Sequence, residues 1–369
     1  MSDSLGDGRG NPTDAQIRLY GRWAQGGVAV SIIGEVQGTP AFPEKPGNLL
    51  LGSGSDLQKL KMLANNGVTN GALLWLQLGH AGAMEHPQIS VAKGPSTINI
   101  SGLSCTALTR EEVRSLPSEF ARTACQAKDL GFGGIQIHAA HGFLLSQFLS
   151  PLFNKRQDEY GALVTSLMRV LLEVADDVRA AVGSRFPIAL KLKTTDQLEG
   201  GFGEEDALDV ISALDSAGID IIDISGGTYF PGAKSASDSA GGGPYFVDFA
   251  GRARMRTKKP LMVTGGFKTS KQAVDAISDG NVDVIGLARA LVLKPDLPNS
   301  WRSEIPKDPI FPHFTTPPEG GITAWYTMRL TQLAENLETT EIPDLETAIR
   351  EYEDRDRDRV TTWKNHFLD

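Results

Sequence analysis

Seven short apolar runs, rich in valine and isoleucine and separated by amphipathic stretches, constrain this chain more than any other feature. They are Val28–Ile33, Ala72–Leu78, Gly134–His138, Ile188–Lys193, Ile219–Ile224, Leu261–Thr264 and Val282–Leu287. Each is close to continuously apolar rather than alternating, which is how a strand buried on both faces reads. Between the runs the pattern turns helical. Thr13–Gln25 opens after Pro12, and Thr109–Leu130 opens with Thr109 followed by Glu112, the spacing of a capping box. Glu204–Ala217 and Ser270–Ser278 follow, with Gly218 and Gly280 just past the helix ends, where a left-handed residue closes the last turn.

This strand–helix alternation predicts a parallel sheet with right-handed crossovers. At 369 residues it predicts an α/β chain folded as a (β/α)8 TIM barrel, a single domain over residues 1–369, with 301–369 a loop and helical segment on its outside. Only twelve residues precede the Thr13 helix, so the first barrel strand is expected to be missing. No G-x-G-x-x-G turn follows an early strand, which argues against a doubly wound sheet.

Charge narrows the partners. A formal net charge of −9 leaves no basic surface for nucleic acid. The sign-alternating run from Arg350 to Arg359 reads as a solvated helix face. Two cysteines, Cys105 and Cys125, make no disulfide framework and fit a reducing, cytoplasmic setting. No apolar run reaches the roughly 18 residues of a membrane span, and Met1–Pro12 has no signal-peptide core. The oligomeric state is not legible.

Barrel sites sit at the C-terminal ends of strands. The polar residues there are Gly34–Glu35, Gln77–His80, His138–His141, Lys191–Lys193, Ser225–Gly227, Thr264–Gly266 and Gly286–Arg289. They are rich in cations and glycine, with Glu35 the one nearby acid, so an anionic ligand is favoured over a metal. Leu261–Phe267 is an apolar strand ending in two glycines, and Thr269 or Ser270 then caps a helix. Glycine lets backbone N–H groups approach an anion, and a helix N-terminus favours negative charge. The competing reading is a tight turn with Arg289 paired to a surface acid. His138 and His141, three residues apart at a strand end, suit two donors to one substrate oxygen. Zinc is the alternative, with His80 as a third ligand but no carboxylate at a convincing spacing.

The run His138-Ala-Ala-His-Gly-Phe-Leu-Leu-Ser-Gln-Phe-Leu-Ser-Pro151, with Asn154, Arg156 and Asp158-Glu-Tyr-Gly161, resembles the old yellow enzyme family. So do Trp75–Gly82, Thr264–Phe267, Gly286–Arg289 and Pro295-Asp296, in the family's order from Met1 to about Pro298. The resemblance implies non-covalent FMN and NADPH or NADH as reductant. It implies Gln77 at the flavin pyrimidine edge, Lys191 beside N1 and O2, and Gly34 under the ring. Gly265, Gly266, Ala288 and Arg289 would form the phosphate cradle, and Ser2 the hydroxyl near N5 and O4. His138 and His141 would hold the oxygen of an α,β-unsaturated carbonyl substrate or a phenolic ligand. For Lys191 the alternative is a salt bridge to Glu35 or Glu199.

Three departures stand out. The family's tyrosine proton donor is replaced by Phe143, its later Asn-Arg pair by Ser166 and Leu167, and its first strand is absent. The expected activity is FMN-dependent reduction of an activated C=C. The alternatives are a flavin-dependent double-bond isomerase and a truncated, inactive barrel. The loop Lys234–Gly243 and the segment Pro40–Pro46 are expected to shape the pocket.

Overall fold

The structure, a computed structural model, describes residues 2–161, 164–231, 243–338 and 344–368. The strands in chain order are β1 (Val30–Gln37), β2 (Leu49–Leu50), β3 (Leu73–Leu78), β4 (Lys93–Gly94), β5 (Ile98–Ile100), β6 (Leu103–Ala107), β7 (Gly134–Ala139), β8 (Ile188–Lys193), β9 (Ile221–Ser225), β10 (Leu261–Thr264) and β11 (Val284–Gly286). Eight of them form one parallel sheet in the order β11-β10-β9-β8-β7-β3-β1-β2. All seven expected runs are in it. The eighth member is a two-residue strand that follows β1 rather than preceding it. Among the described residues the sheet does not close, because β11 pairs with β10 and β1 with β2 and β3.

Burial follows position. The central β7 and β8 are buried at every residue, as strands covered on both faces must be. Edge strand β11 is not, and Val284 is 38% exposed. The helix Arg110–Asp129 carries the expected capping box, with Thr109 Oγ1 accepting from Glu112 N–H and Glu112 answering to Thr109 N–H. Helices Asp14–Gln25 and Ser270–Ser278 are capped by Thr13 and Thr269. Gly280 is left-handed as expected (φ 74°). Gly218 is not: a Cβ there would lie 2.5 Å from Arg179 Cβ, so close packing of the helix Arg169–Val182 is what requires glycine.

One region was not foreseen. Strands β4, β5 and β6 form a small separate sheet ahead of the Arg110–Asp129 helix. Helices Gly321–Ala334 and Leu345–Phe367 carry Trp325, Tyr326, Leu330, Leu333 and Ala348 into a cluster with Leu5, Leu19 and Val292. Arg18 Nε donates to Ala334 O at 3.1 Å, tying the first helix to this C-terminal segment. The expected loop Lys234–Gly243 lies outside the described residues except for Gly243.

Candidate active site

Strand register gathers the site. Gln77 on β3 pairs with Gln136 on β7, His138 on β7 with Lys191 on β8, and Lys191 with Asp223 on β9. Because β-strand side chains alternate between faces, cross-strand partners share one face. Lys191 Nζ lies 2.6 Å from Asp223 Oδ2. That corrects both acids considered for it, Glu35 and Glu199, and corrects the view that Glu35 is the one acid nearby. Asp223 sits mid-strand within Ile221-Ile-Asp-Ile-Ser225, two residues before the strand end. Gln136 Nε2 and Thr264 Oγ1 also donate to Asp223, at 2.9 and 3.0 Å, and Gln77 Nε2 donates to Gln136 Oε1 at 2.5 Å.

A second chain runs along the rim. Glu35 Oε1 meets His138 Nδ1, His138 Nε2 lies 3.1 Å from His141 Nδ1, and His141 Nε2 lies 3.0 Å from Ser225 Oγ. Both nitrogens of each ring therefore face protein partners. Burial pushes the Glu35 carboxyl up to about 8. Burial holds His138 and His141 well below the usual histidine range, with the Lys191 charge adding to it in both. At neutral pH all three are uncharged, and one donor order satisfies them: Glu35 O–H to His138 Nδ1, His138 Nε2–H to His141 Nδ1, His141 Nε2–H to Ser225. Gly79 makes room for this carboxyl, since a Cβ there would lie 1.9 Å from Glu35 Oε2.

The backbone behind the pair is unusual. His141 takes a left-handed φ of 59°, rare for a residue with a side chain. Tyr229 N–H donates to His141 O at 3.2 Å, Gly142 N–H to Ser146 Oγ at 3.0 Å, and Gln147 Nε2 to Gly142 O at 2.6 Å. Phe143 is buried, 5.0 Å from the His138 ring and 5.8 Å from the ring of Tyr229. The 154–161 motif braces the turn: Asn154 Nδ2 donates to Phe148 O and Tyr160 O, and Arg156 binds Asp158 and the carbonyls of Pro95 and Leu108.

Across the barrel, Gly265 and Gly266 take φ values of 127° and 81°. A Cβ on Gly266 would lie 1.9 Å from Gly243 O, and one on Gly286 2.0 Å from Thr264 Oγ1. Thr269, rather than Ser270, caps the following helix. Ala288 precedes the short helix Arg289–Leu293, and the Arg289 guanidinium lies 5.1 Å over the Tyr326 ring. Gly34 packs on Gln77, whose Oε1 would lie 2.6 Å from a Cβ there. Ser2 is at the N-terminal segment, its Oγ accepting from Ser4 N–H at 3.3 Å. His80, weighed as a third metal ligand, stacks on Phe42 at 4.0 Å and accepts from Gly82 N–H through Nδ1. Burial pushes it down to about 3. Phe42, from the Pro40–Pro46 segment, lines a pocket with Gln37 and His80. Among the described residues no three His, Cys, Asp or Glu side chains are grouped to hold a metal, and no helix is long and apolar enough to cross a membrane.

Comparison with known proteins identifies the family and the fold. The NADH-dependent flavin oxidoreductase iliE of Neonectria sp. (strain DH2) is 32% identical over 337 residues, covering 81% of this chain and 44% of that protein. The iliE protein of Hypocrea jecorina (strain QM6a) is 30% identical, covering 81% and 83%. The chain thus spans less than half the length of the first relative and most of the second. An old yellow enzyme homologue from Zymomonas mobilis superimposes with a TM-score of 0.70 at 23% identity, covering 89% of this chain and 92% of that one, which establishes the barrel fold. The profile of the NADH:flavin oxidoreductase / NADH oxidase family matches residues 4–308, and the chain belongs to that family, the family of the old yellow enzymes.

Proposed function

We propose that this chain is an FMN-dependent NAD(P)H oxidoreductase that reduces the activated C=C of an α,β-unsaturated carbonyl compound. The observation that carries the reading is lateral: His138 and Lys191 are register partners on adjacent strands, so an imidazole and a buried cation share one face. The residues fit FMN. Gln77 and Lys191 supply a carboxamide and a cation for the flavin pyrimidine, which accumulates negative charge on reduction. Gly265 and Gly266, in conformations that side chains disfavour, open backbone toward a phosphate, with the Thr269-capped helix and Arg289 behind them. When bound, FMN supplies a two-electron carrier between nicotinamide and substrate.

The protein's own work is positioning and polarisation. Lys191 stabilises negative charge as it develops, in a site with little water to screen it. His141 and His138 turn their N–H groups from Ser225 and from each other to a carbonyl oxygen when one arrives. Phe143 has no proton to give. Tyr229, packed against Phe143 and bonded to His141 through its backbone, brings a phenol to the same wall. We assign it the proton for the substrate α-carbon. General acids contribute roughly 10²–10⁴-fold. Tyr229→Phe is expected to slow turnover of a simple cyclic enone by about tenfold or more, and Phe143→Tyr to restore it in that background. Unchanged turnover in Tyr229→Phe would remove the assignment.

The activity reading is tested on the purified chain supplied with FMN. An oxidised-flavin spectrum that NADPH or NADH bleaches anaerobically, and an enone product heavier by two hydrogens, are the expected results. A product of unchanged mass would instead identify a double-bond isomerase, which the apolar Phe143 favours. A folded chain that takes up no FMN would leave the inactive barrel. Two unpaired cysteines, Cys105 and Cys125, suit a reducing cytoplasm.

A further inference from the structure

The cofactor face is organised by a residue outside the set named so far for the flavin. We propose that Asp223 is a positioning residue that sets the charge and the hydrogen-bond polarity presented to the flavin ring, a proposal resting on the FMN reading above. Its side chain is 1% exposed, and its carboxylate collects donors from three other strands. Lys191 of β8 lies 2.6 Å from Oδ2, Gln136 of β7 donates to the same oxygen at 2.9 Å, and Thr264 of β10 donates to Oδ1 at 3.0 Å.

Two consequences follow from elementary chemistry. The first concerns charge. A lysine held by a carboxylate at this depth is neutralised locally, so it attracts negative charge on a neighbouring ring less strongly than a bare ammonium would. The second concerns polarity. A carboxylate only accepts hydrogen bonds, so Gln136 must turn Nε2 toward Asp223 and present Oε1 to its other neighbour. Gln77 must then give Nε2 to Gln136, as it does at 2.5 Å, which leaves Gln77 Oε1 beside Gly34 as the acceptor. The pyrimidine edge of a flavin carries an N–H donor. Asp223, two hydrogen bonds away, thereby fixes which end of the Gln77 amide that donor meets.

The experiment measures the midpoint potential and the dissociation constants of oxidised and reduced FMN for the wild-type chain and Asp223→Asn. Losing the carboxylate exposes the Lys191 charge. The ratio of oxidised to reduced dissociation constants should rise tenfold or more, a positive shift of about 30 mV for a two-electron couple. Lys191→Met should move the ratio the opposite way. If Asp223→Asn does not fold, Thr264→Val decides. Removing one donor leaves Asp223 to Lys191 and Gln136, and the ratio should fall roughly threefold, the scale of one net hydrogen bond. A folded Asp223→Asn, or failing that Thr264→Val, that binds FMN with the wild-type ratio would overturn the proposal, because a purely structural role moves stability and not the ratio. A wild-type chain that binds no FMN removes the function reading itself, a separate and recognisable failure.

Discussion

Two buried lysines stand two residues apart on β8, each against a carboxylate, and they are built for different ends. Lys193 pairs with Asp196 at 2.5 Å, and both side chains are fully buried. The second oxygen of Asp196 accepts from Ser150 Oγ at 2.6 Å and Phe202 N–H at 2.9 Å, and Lys193 Nζ lies 5.0 Å over the Phe202 ring. Protein closes this pair on every side, and burial pulls the ammonium below the usual lysine range despite Asp196. Lys191 keeps 11% of its side chain exposed, on the face it shares with His138. A closed pair serves the fold, whereas a pair with one uncovered side is a place for a ligand.

The largest effect that would sharpen this contrast is on stability. Asp196→Asn leaves a fully buried ammonium without its counter-charge, which costs about 3–5 kcal/mol. Denaturant unfolding should register that loss, while FMN affinity of the folded fraction stays at wild type. Lys191→Met should do the reverse. Asp223 keeps the Gln136 and Thr264 donors, so stability should fall by less than in Asp196→Asn, while FMN affinity drops tenfold or more. Equal stability losses in the two variants would break the contrast.

A further effect, spread over pH, comes from a third buried carboxyl, Glu35, which burial pushes well up. Its folded pKa of about 8 lies above the unfolded value near 4.3. Between those values the folded state holds a proton that the unfolded state has released. Stability from this group is therefore complete below about pH 4 and declines as pH rises to about 8, by up to about 1.4 kcal/mol per unit. Glu35→Gln has no proton to lose, so its unfolding free energy should fall less than wild type between pH 5 and pH 8. Parallel pH profiles would show that Glu35 is ionised in the folded chain. Glu85, which burial also pushes up to about 8, has the same sign in both proteins and cancels from the difference.

How much of this was legible depends on where the information lies along the chain. The seven barrel strands could be read because burial on both faces writes an unbroken apolar run, and capping at Thr109 and Thr269 is local chemistry three residues long. Strands β4 to β6 were not foreseen because β5 and β6 are partly exposed, so no apolar run marks them. Asp223 was missed because strand ends were searched for acids. Its signal was nevertheless present: an aspartate between isoleucines in a buried strand must find partners there. The link between Glu35 and His138 spans 103 residues and arises only from the neighbouring positions of β1, β3 and β7. The Lys191–Asp223 pair likewise needs strand register, which spacing along the chain does not carry.

The cluster that joins Leu5 and Leu19 to Trp325, Tyr326 and Leu333 sets a timetable for the newborn chain. The helix Asp14–Gln25 leaves the ribosome with Ile17 and Tyr20 soon covered by Leu60 and Leu63, but Leu19 waits for partners some 316 residues downstream, the separation of Arg18 from Ala334. At roughly 5–20 residues per second of synthesis, those partners arrive tens of seconds later. The central strands can pair meanwhile, each with a neighbour made shortly before it. That patch around Leu19 is thus among the last surfaces to be buried, and a helper that shields nascent apolar surface has most to do there.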